Sequence, residues 1–385
     1  MSVDINTKLG VQISGGIVIG PSMGVQLSSP GGPTFLLRDD FTTAASAPLA
    51  SPRTAEPGPG TLTITDTNNK LSVATGKLTF ATGGVGASDP AVWGQLLSRL
   101  AGRALVLEIT PANTGSNTLL GWDANQTGIL TDRLAFGGSS VMTVSENTSA
   151  GIDVGSYAAA TSYLVAFVMR GTGAFVAIKG GTFTNWTLLW VLNVGSNDRY
   201  AAVAALSSTA IATLDNFRVI DLPAPFATDY GLATQQLAGA RSAADLFTHE
   251  ADHHVGWTQT AVPSADYTDI CVRYQDDDNT WVYEVASDGS LTLWEVVATT
   301  WTSRGSVAAA TVANGHRCVG IAVASVIRVY SNNVLRITYS SASVGASRTA
   351  GKVLALGTGG AASDLVSWPR TLSGAAAAIL DAAVA

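Results

Sequence analysis

Three of the four histidines stand together in "HEADHH" (249–254). On a strand, His249 and His253 would project to one face and His254 to the other, with Glu250 and Asp252 on the side of His254. His254, Asp252 and Glu250 therefore form a set that could ligate a metal ion. The same run also reads as a polar strand edge where a second domain begins. Carboxylates are the other source of chemistry. Glycoside hydrolysis requires two of them facing one cleft, ~5–10 Å apart, and the chain has only six glutamates: Glu56, Glu108, Glu146, Glu250, Glu284 and Glu295. Glu284 and Glu295 flank a hairpin around Asp288-Gly289. A two-residue loop would put both on one face. A five-residue loop, 286–290, pairs 285 with 291 and sends the two glutamates to opposite faces. It also gathers Trp281, Tyr283, Val285, Leu291 and Leu293 into one apolar stripe. The second register is expected, and with it a chain that is not an enzyme.

"QDDDN" (275–279) reads as an exposed turn, because its acids lack the spacing and the closing Glu of a calcium loop. Stacking chemistry is better represented. Pyranose faces lie on Trp and Tyr rings, and Trp122, Trp186, Trp190, Trp257, Trp294 and Trp301 are available. Trp122 in "GWDANQTG" is the one expected on a loop, where Asp123 and Asn125 would add the hydrogen bonds of a shallow glycan site.

Short strands must position all of these. Gly-, Thr- and Val-rich composition with only 13% charged residues suits sheets with tight turns. "GTLTITDTNNKLSVATGKLTFAT" reads strand–turn–strand–turn–strand, and apolar runs ended by Gly, Asn or Ser follow to residue 222. A short helical turn is expected near 91–100, and only the tail "SGAAAAILDAAVA" (373–385) reads as a helix. Pro223 and Pro225 then stop the strand "ATLDNFRVIDL" (212–222). Beyond them the order repeats. "TSYLVAFVMRGTGAFVAIKGGTFTNW" (161–186) has the same sequence of strands and turns as "HRCVGIAVASVIRVYSNNVLRITYSS". A repeat of roughly 150 residues means two copies of one domain type. The expected organisation is an extended arm over 1–33, a first domain over 34–222 and a second over 223–385 that includes the helix.

Net charge is −7 with no Lys/Arg run, which argues against nucleic acid as a partner. No apolar stretch of ~20 residues suggests a membrane span, and "MSVDINTKLG" lacks the pattern of a signal peptide. Cys271 and Cys318 are too few for a disulfide scaffold. The arm, "VQISGGIVIGPSMGVQLSSPGGP", holds β pieces of about three residues, too short for a core but able to add to another sheet's edge.

"SADYTDICVRYQDDDNTWVYEVASDGSLTLWEVV" and "NGHRCVGIAVASVIRVYSNNVLRITY" resemble the concanavalin A-like (laminin-G-like) jelly roll, and "WTLLW…TLDNFRVIDLP" is similar to its closing strands. The resemblance covers most of 35–372. It implies an all-β chain of two tandem antiparallel β-sandwich (jelly-roll) domains. In such folds the first and last strands lie side by side, so Asp39, Asp40 and Asp215 with backbone carbonyls could hold Ca²⁺. Alternatively Asp215 caps a bulge or pairs with Arg218 or Arg38. The tandem, Ala/Gly/Thr-rich style resembles domains of tailed-bacteriophage virion proteins. That likeness implies a structural protein of the virion, assembled in the host cytoplasm and docked to other virion proteins through residues 1–33. It would be a homo-oligomer, expected to be a trimer, acting as a tail adhesin on host-surface polysaccharide. The alternatives are a capsid decoration protein and a free lectin or glycoside hydrolase.

Overall fold

A computed structural model describes residues 12–13, 17–18, 34–80, 90–98, 102–115, 117–126, 130–145, 151–170, 173–193, 198–205, 212–222, 235–243, 246–248, 251–332, 334–344, 350–372 and 374–385. Gln12–Ile13 and Ile17–Val18 pair antiparallel, and the rest of the expected arm lies outside the described residues. Every other described element is an antiparallel strand, except a short 3-10 turn at Gly138–Ser140 and one α-helix, α1 (Gly374–Val384). The chain is therefore all-β, as its alternating apolar runs led us to expect. Among the described residues no helix is long and apolar enough to cross a membrane.

Among the described residues four large sheets carry the fold, and none of them takes strands from both halves. Sheet I runs Ile152–Ser156, Val141–Ser145, Asp132–Phe136, Thr118–Asp123, Arg199–Ala205, Ala91–Leu97, Thr61–Thr65, Arg53–Thr54. Sheet II runs Phe183–Asn193, Gly173–Gly180, Tyr163–Arg170, Arg103–Pro111, Ala212–Asp221, then Lys77–Phe80 and Leu71–Ala74, with Thr34–Asp39 also on Ala212–Asp221. Sheet III runs Val334–Ser340, Val326–Ser331, His316–Val323, His253–Ala261, Ala361–Pro369, Gln235–Ala240. Sheet IV runs Thr300–Val307, Leu291–Val297, Asn279–Ala286, Tyr267–Asp276, Ala350–Ala355, Leu246–Thr248.

These orders repeat. Read from the edge hairpins inward, sheet III repeats sheet II strand for strand, and sheet IV repeats the first six strands of sheet I. In each half the first strand lies against the last. The first half adds Arg53–Thr54, Thr61–Thr65, Leu71–Ala74 and Lys77–Phe80.

Alternation of side chains fills each sandwich. Leu120, Trp122, Phe136 and Val203 from sheet I meet Leu105, Leu107, Val165 and Phe167 from sheet II. Trp257, Ile270, Trp281, Tyr283, Leu293 and Val329 form the second core. The expected helical turn near 91–100 is instead the strand Ala91–Leu97. Val92 fills the first sandwich and Trp93 the opposite face, an alternation that a helix would destroy.

The helix expected to belong to the second domain packs on the first. Residues 370–372 run along Phe183–Asn193, with Leu188 N–H to Arg370 C=O at 2.6 Å and Leu372 N–H to Trp186 C=O at 2.7 Å. Ala376, Leu380 and Ala383 of α1 then enter the first core, and Arg218 donates to the Ala383 carbonyl at 3.0 Å. Asp381 receives the Lys179 ammonium and the Trp186 indole N–H. Sheet III turns Ile321, Val323, Val326 and Tyr330 to the same core. Arg328 lies over the Trp190 ring at 4.3 Å, and Arg370 donates to the Val154 carbonyl. The two halves are thus one packed body.

Candidate functional site

The residues singled out in the sequence do not converge. Trp122 lies on a strand, not a loop: it pairs with Ala201 and Asp132 and has no exposed surface. An inward position in Thr118–Asp123 forces this, and a ring with no free face cannot stack on a sugar. Asp123 points to the other face and accepts from Thr131 N–H and Oγ1, while Asn125 is exposed beyond the strand end. Burial raises the Asp123 carboxyl above the ordinary range.

Asp39, Asp40 and Asp215 do not form a calcium cage. Thr34–Asp39 does pair with Ala212–Asp221, Phe217 opposite Asp39. Asp39 ends its strand, however, and Asp40 lies past it. Asp39 is fully buried against Arg53 at 2.8 Å, while Asp40 pairs with Arg38 and Arg218. Asp215 accepts from the Asn216 N–H at a bulge, where Asn216 takes φ 54. There the strand changes partner, from Lys77–Phe80 to Thr34–Asp39. The left-handed conformation suits Asn, which explains the Asp-Asn pair inside an apolar strand. Of "HEADHH", His249 and Glu250 lie outside the described residues. Asp252 is committed to Arg273 and Arg370, and His253 and His254 are fully buried. No group of three or more metal-ligating side chains occurs among the described residues.

The hairpin at Asp288-Gly289 pairs Val285 with Leu291, the register expected. Glu295 therefore faces inward, bound to Arg304 at 2.7 Å, and Glu284 faces outward. Glu284 has another partner. Asp269, on the adjacent strand, stands directly opposite it. The two-residue turn at Asp277-Asp278 alone would place Asp269 opposite Ala286. Two bulges, at Cys271/Arg273 and Tyr274/Asp276, slide the register by two residues and bring the carboxyls together. Cross-strand partners hold their Cβ atoms about 4.5–5.5 Å apart.

Their surroundings make this pair chemically distinct. Asp269 is 8% and Glu284 9% exposed, and Asp269 Oδ1 is buried with no hydrogen-bond partner. Burial, and then the Glu284 charge, push the Asp269 carboxyl up to about 7. Burial also raises Glu284. The register continues the face: Cys271 opposite Val282, Val282 opposite Trp294, Val296 opposite Trp301. Trp294 and Trp301 meet edge to face at 6.0 Å, and Trp301 is 42% exposed. Tyr274 borders the other side, under Lys352, whose ammonium donates to Asp277 at 2.7 Å and to the Tyr274 hydroxyl at 3.1 Å. The Cys271 thiol, buried and pushed up to about 12, takes no part as a nucleophile. Cys271, Val282 and Val296 of this face are fully buried and the carboxyl pair nearly so, while Trp301 at its edge is exposed.

No family model matches the chain, and no curated protein matches it. Solved structures do. One comes from work on endo-acting O-glycanases that prominent members of the human gut microbiota express to initiate mucin breakdown. It is 10% identical, covering 49% of this chain and 99% of that one, at a TM-score of 0.32. Sheep galectin-11 in complex with glycerol is 10% identical, covering 33% and 98%, at 0.26. The exoplasmic/lumenal domain of VIP36, bound to Ca²⁺ and Man3GlcNAc, is 9% identical, covering 42% and 84%, at 0.33. Each spans less than half of this chain, and at these scores the likeness carries no argument about the site. The fold class rests on the strand pairing.

Proposed function

We propose that this protein is a non-enzymatic glycan-binding protein that holds saccharide on the outer face of sheet IV. The observation that carries this reading is the exposed Trp301, packed edge to face on Trp294, on the same sheet face as the Asp269–Glu284 pair. Carboxyl oxygens accept from sugar hydroxyls while a ring face stacks on indole, the combination a shallow saccharide site needs. The tandem, Ala/Gly/Thr-rich style supports a place on a tailed-phage virion as a surface-projecting adhesin. It would be docked to other virion proteins by residues 1–33 and present as a homo-oligomer, in our reading a trimer. One shallow site of this kind gives a Kd of about millimolar to high-micromolar. Several copies on one particle multiply it through effective concentration.

One observation favours a second reading. Two paired carboxyls are also what glycoside hydrolysis uses. Glycan arrays probed with the oligomer, together with a reducing-end assay on every saccharide that binds, test both. Binding without release of reducing ends is expected. Turnover lost in Glu284→Gln would replace adhesion with hydrolysis, and binding unaffected by Trp301→Ala would remove the site from this face.

A further inference from the structure

We infer that Arg304 and Arg336 bar another copy of this chain from adding a strand to the edges Thr300–Val307 and Val334–Ser340. Each of the four sheets ends at its hairpin edge in a strand with a bulge, where that strand holds an extra residue. On Ile152–Ser156 it is Val154, between the partners of Met142 and Thr143. On Phe183–Asn193 it is Leu189, between the partners of Val176 and Ala177. On Thr300–Val307 it is Arg304, and on Val334–Ser340 it is Arg336. Sheet III repeats sheet II, and sheet IV repeats sheet I. The second half thus carries arginine on the same edge strands whose bulges are apolar in the first.

The difference follows what covers each edge. Val154 and Leu189 are buried. Residues 370–372 run along Phe183–Asn193, with Thr371 bridged to Thr187, and Arg370 donates to the Val154 carbonyl. The chain's own C-terminal segment therefore closes one of these edges and reaches the other. Among the described residues no strand or bridge lies beyond Thr300–Val307 or Val334–Ser340. Residues 300–303 and Val334 are exposed. An uncovered edge offers its N–H and C=O groups to any other strand, and a bulge with an inward-pointing charge makes that pairing costly. Both devices are present. Arg304 donates through Nε and Nη2 to the inward-facing Glu295 and lies over the Tyr339 ring at 5.7 Å. The Arg336 Nε is buried, so this side chain too is drawn in from the edge. A strand laid on either edge would strip the remaining water from a guanidinium, a cost that valine or leucine does not carry.

The full chain with Arg304→Val and Arg336→Leu together, the residues of the first-half bulges, tests this. In sedimentation velocity the double variant should leave the wild-type state for larger species, with self-association at least about tenfold tighter. Amide hydrogen exchange over 300–307 and 334–340 should slow in those species. Arg304→Lys with Arg336→Lys keeps both charges and should sediment as wild type. A folded Val/Leu variant, checked by circular dichroism, that sediments as wild type overturns the inference. Lysine variants that associate as readily as the apolar ones overturn it too, because charge would then not be what excludes a strand. So does association that leaves exchange at both edges unchanged, which places the contact elsewhere. A Val/Leu variant that unfolds before it associates also overturns it, since the arginines would then hold the edges together rather than guard them.

Discussion

The hairpin Thr118–Phe136 of sheet I and the hairpin Tyr267–Ala286 of sheet IV occupy the same place in the repeated strand order, yet their outer faces differ. In the first, Leu119 stands opposite Ala135 and Gly121 opposite Arg133. The patch continues through Ala91, Trp93, Ala202 and Ala204 as a small apolar cluster. In the second, Asp269 stands opposite Glu284, Cys271 opposite Val282, and the cluster beyond ends in Trp294. The inner faces follow one rule, large apolar residues in alternation. One architecture thus carries an apolar outer face in one copy and a carboxyl pair in the other. The lesson is that strand order fixes where a face lies, while register and a few outward residues fix what it can do.

The contact between the halves can be broken first, and its effect should be the largest. Trp190 has no exposed surface and lies beneath Arg328. Trp190→Ala removes a core ring and the aromatic partner of a buried guanidinium, so it should cost about 3–5 kcal/mol by urea denaturation. A loss under about 1 kcal/mol would show that the halves do not share a core.

The two outer faces should answer charge in opposite ways. Leu119 is 1% exposed inside an apolar cluster, so Leu119→Asp should cost about 3 kcal/mol at pH 7. At Asp269 the charge is already present and costly. Its folded pKa, about 7, lies above the unfolded value near 3.8, so between those values the folded chain keeps a proton that the unfolded chain has lost. Stability therefore falls as pH rises through that window. Asp269→Asn should remove the fall, leaving stability at pH 4 nearly unchanged and raising it at pH 8 by about 1–3 kcal/mol. Thermal melts across pH would show a flat profile in the variant. A profile as steep as wild type would assign the titration elsewhere.

Much of this was legible in the sequence, for physical reasons. Alternating apolar runs ended by Gly and Asn gave the all-β class. The stripe Trp281–Leu293 selected the Asp288-Gly289 register that the structure has. The helix 374–384 read as a helix but not as part of the first core, because nothing local names its partner. Ala91–Leu97 was misjudged because "AVWGQLL" has helix-compatible residues and its sheet neighbours are distant in sequence. Trp122 misled for a related reason. "GWDANQTG" is rich in turn residues, but the strand extends through Asp123 before the turn begins. The Asp269–Glu284 pair was not legible, because it depends on two bulges that slide one strand by two residues. The available signal was the outward parity of Asp269, Cys271, Glu284 and Trp294 on paired strands, which narrows the set without fixing who meets whom.

The smallest change in stability should accompany the clearest change in function. Trp301 lies on the edge strand Thr300–Val307, is 42% exposed and meets Trp294 edge to face. Trp301→Ala should shift stability by no more than about 0.5 kcal/mol, the usual range for surface sites. A lost stacking contact of about 1–1.5 kcal/mol should weaken single-site saccharide binding about tenfold. On a multivalent particle the loss compounds over copies, so retention on a glycan-coated surface should fall far more than the single-site affinity. Comparing the single-chain Kd with particle retention for wild type and variant separates the two levels. Equal retention would mean that the particle is held by another surface. A variant that unfolds would mean that Trp301 supports the edge of sheet IV rather than a ligand, and the contrast between the two outer faces would then be one of packing alone.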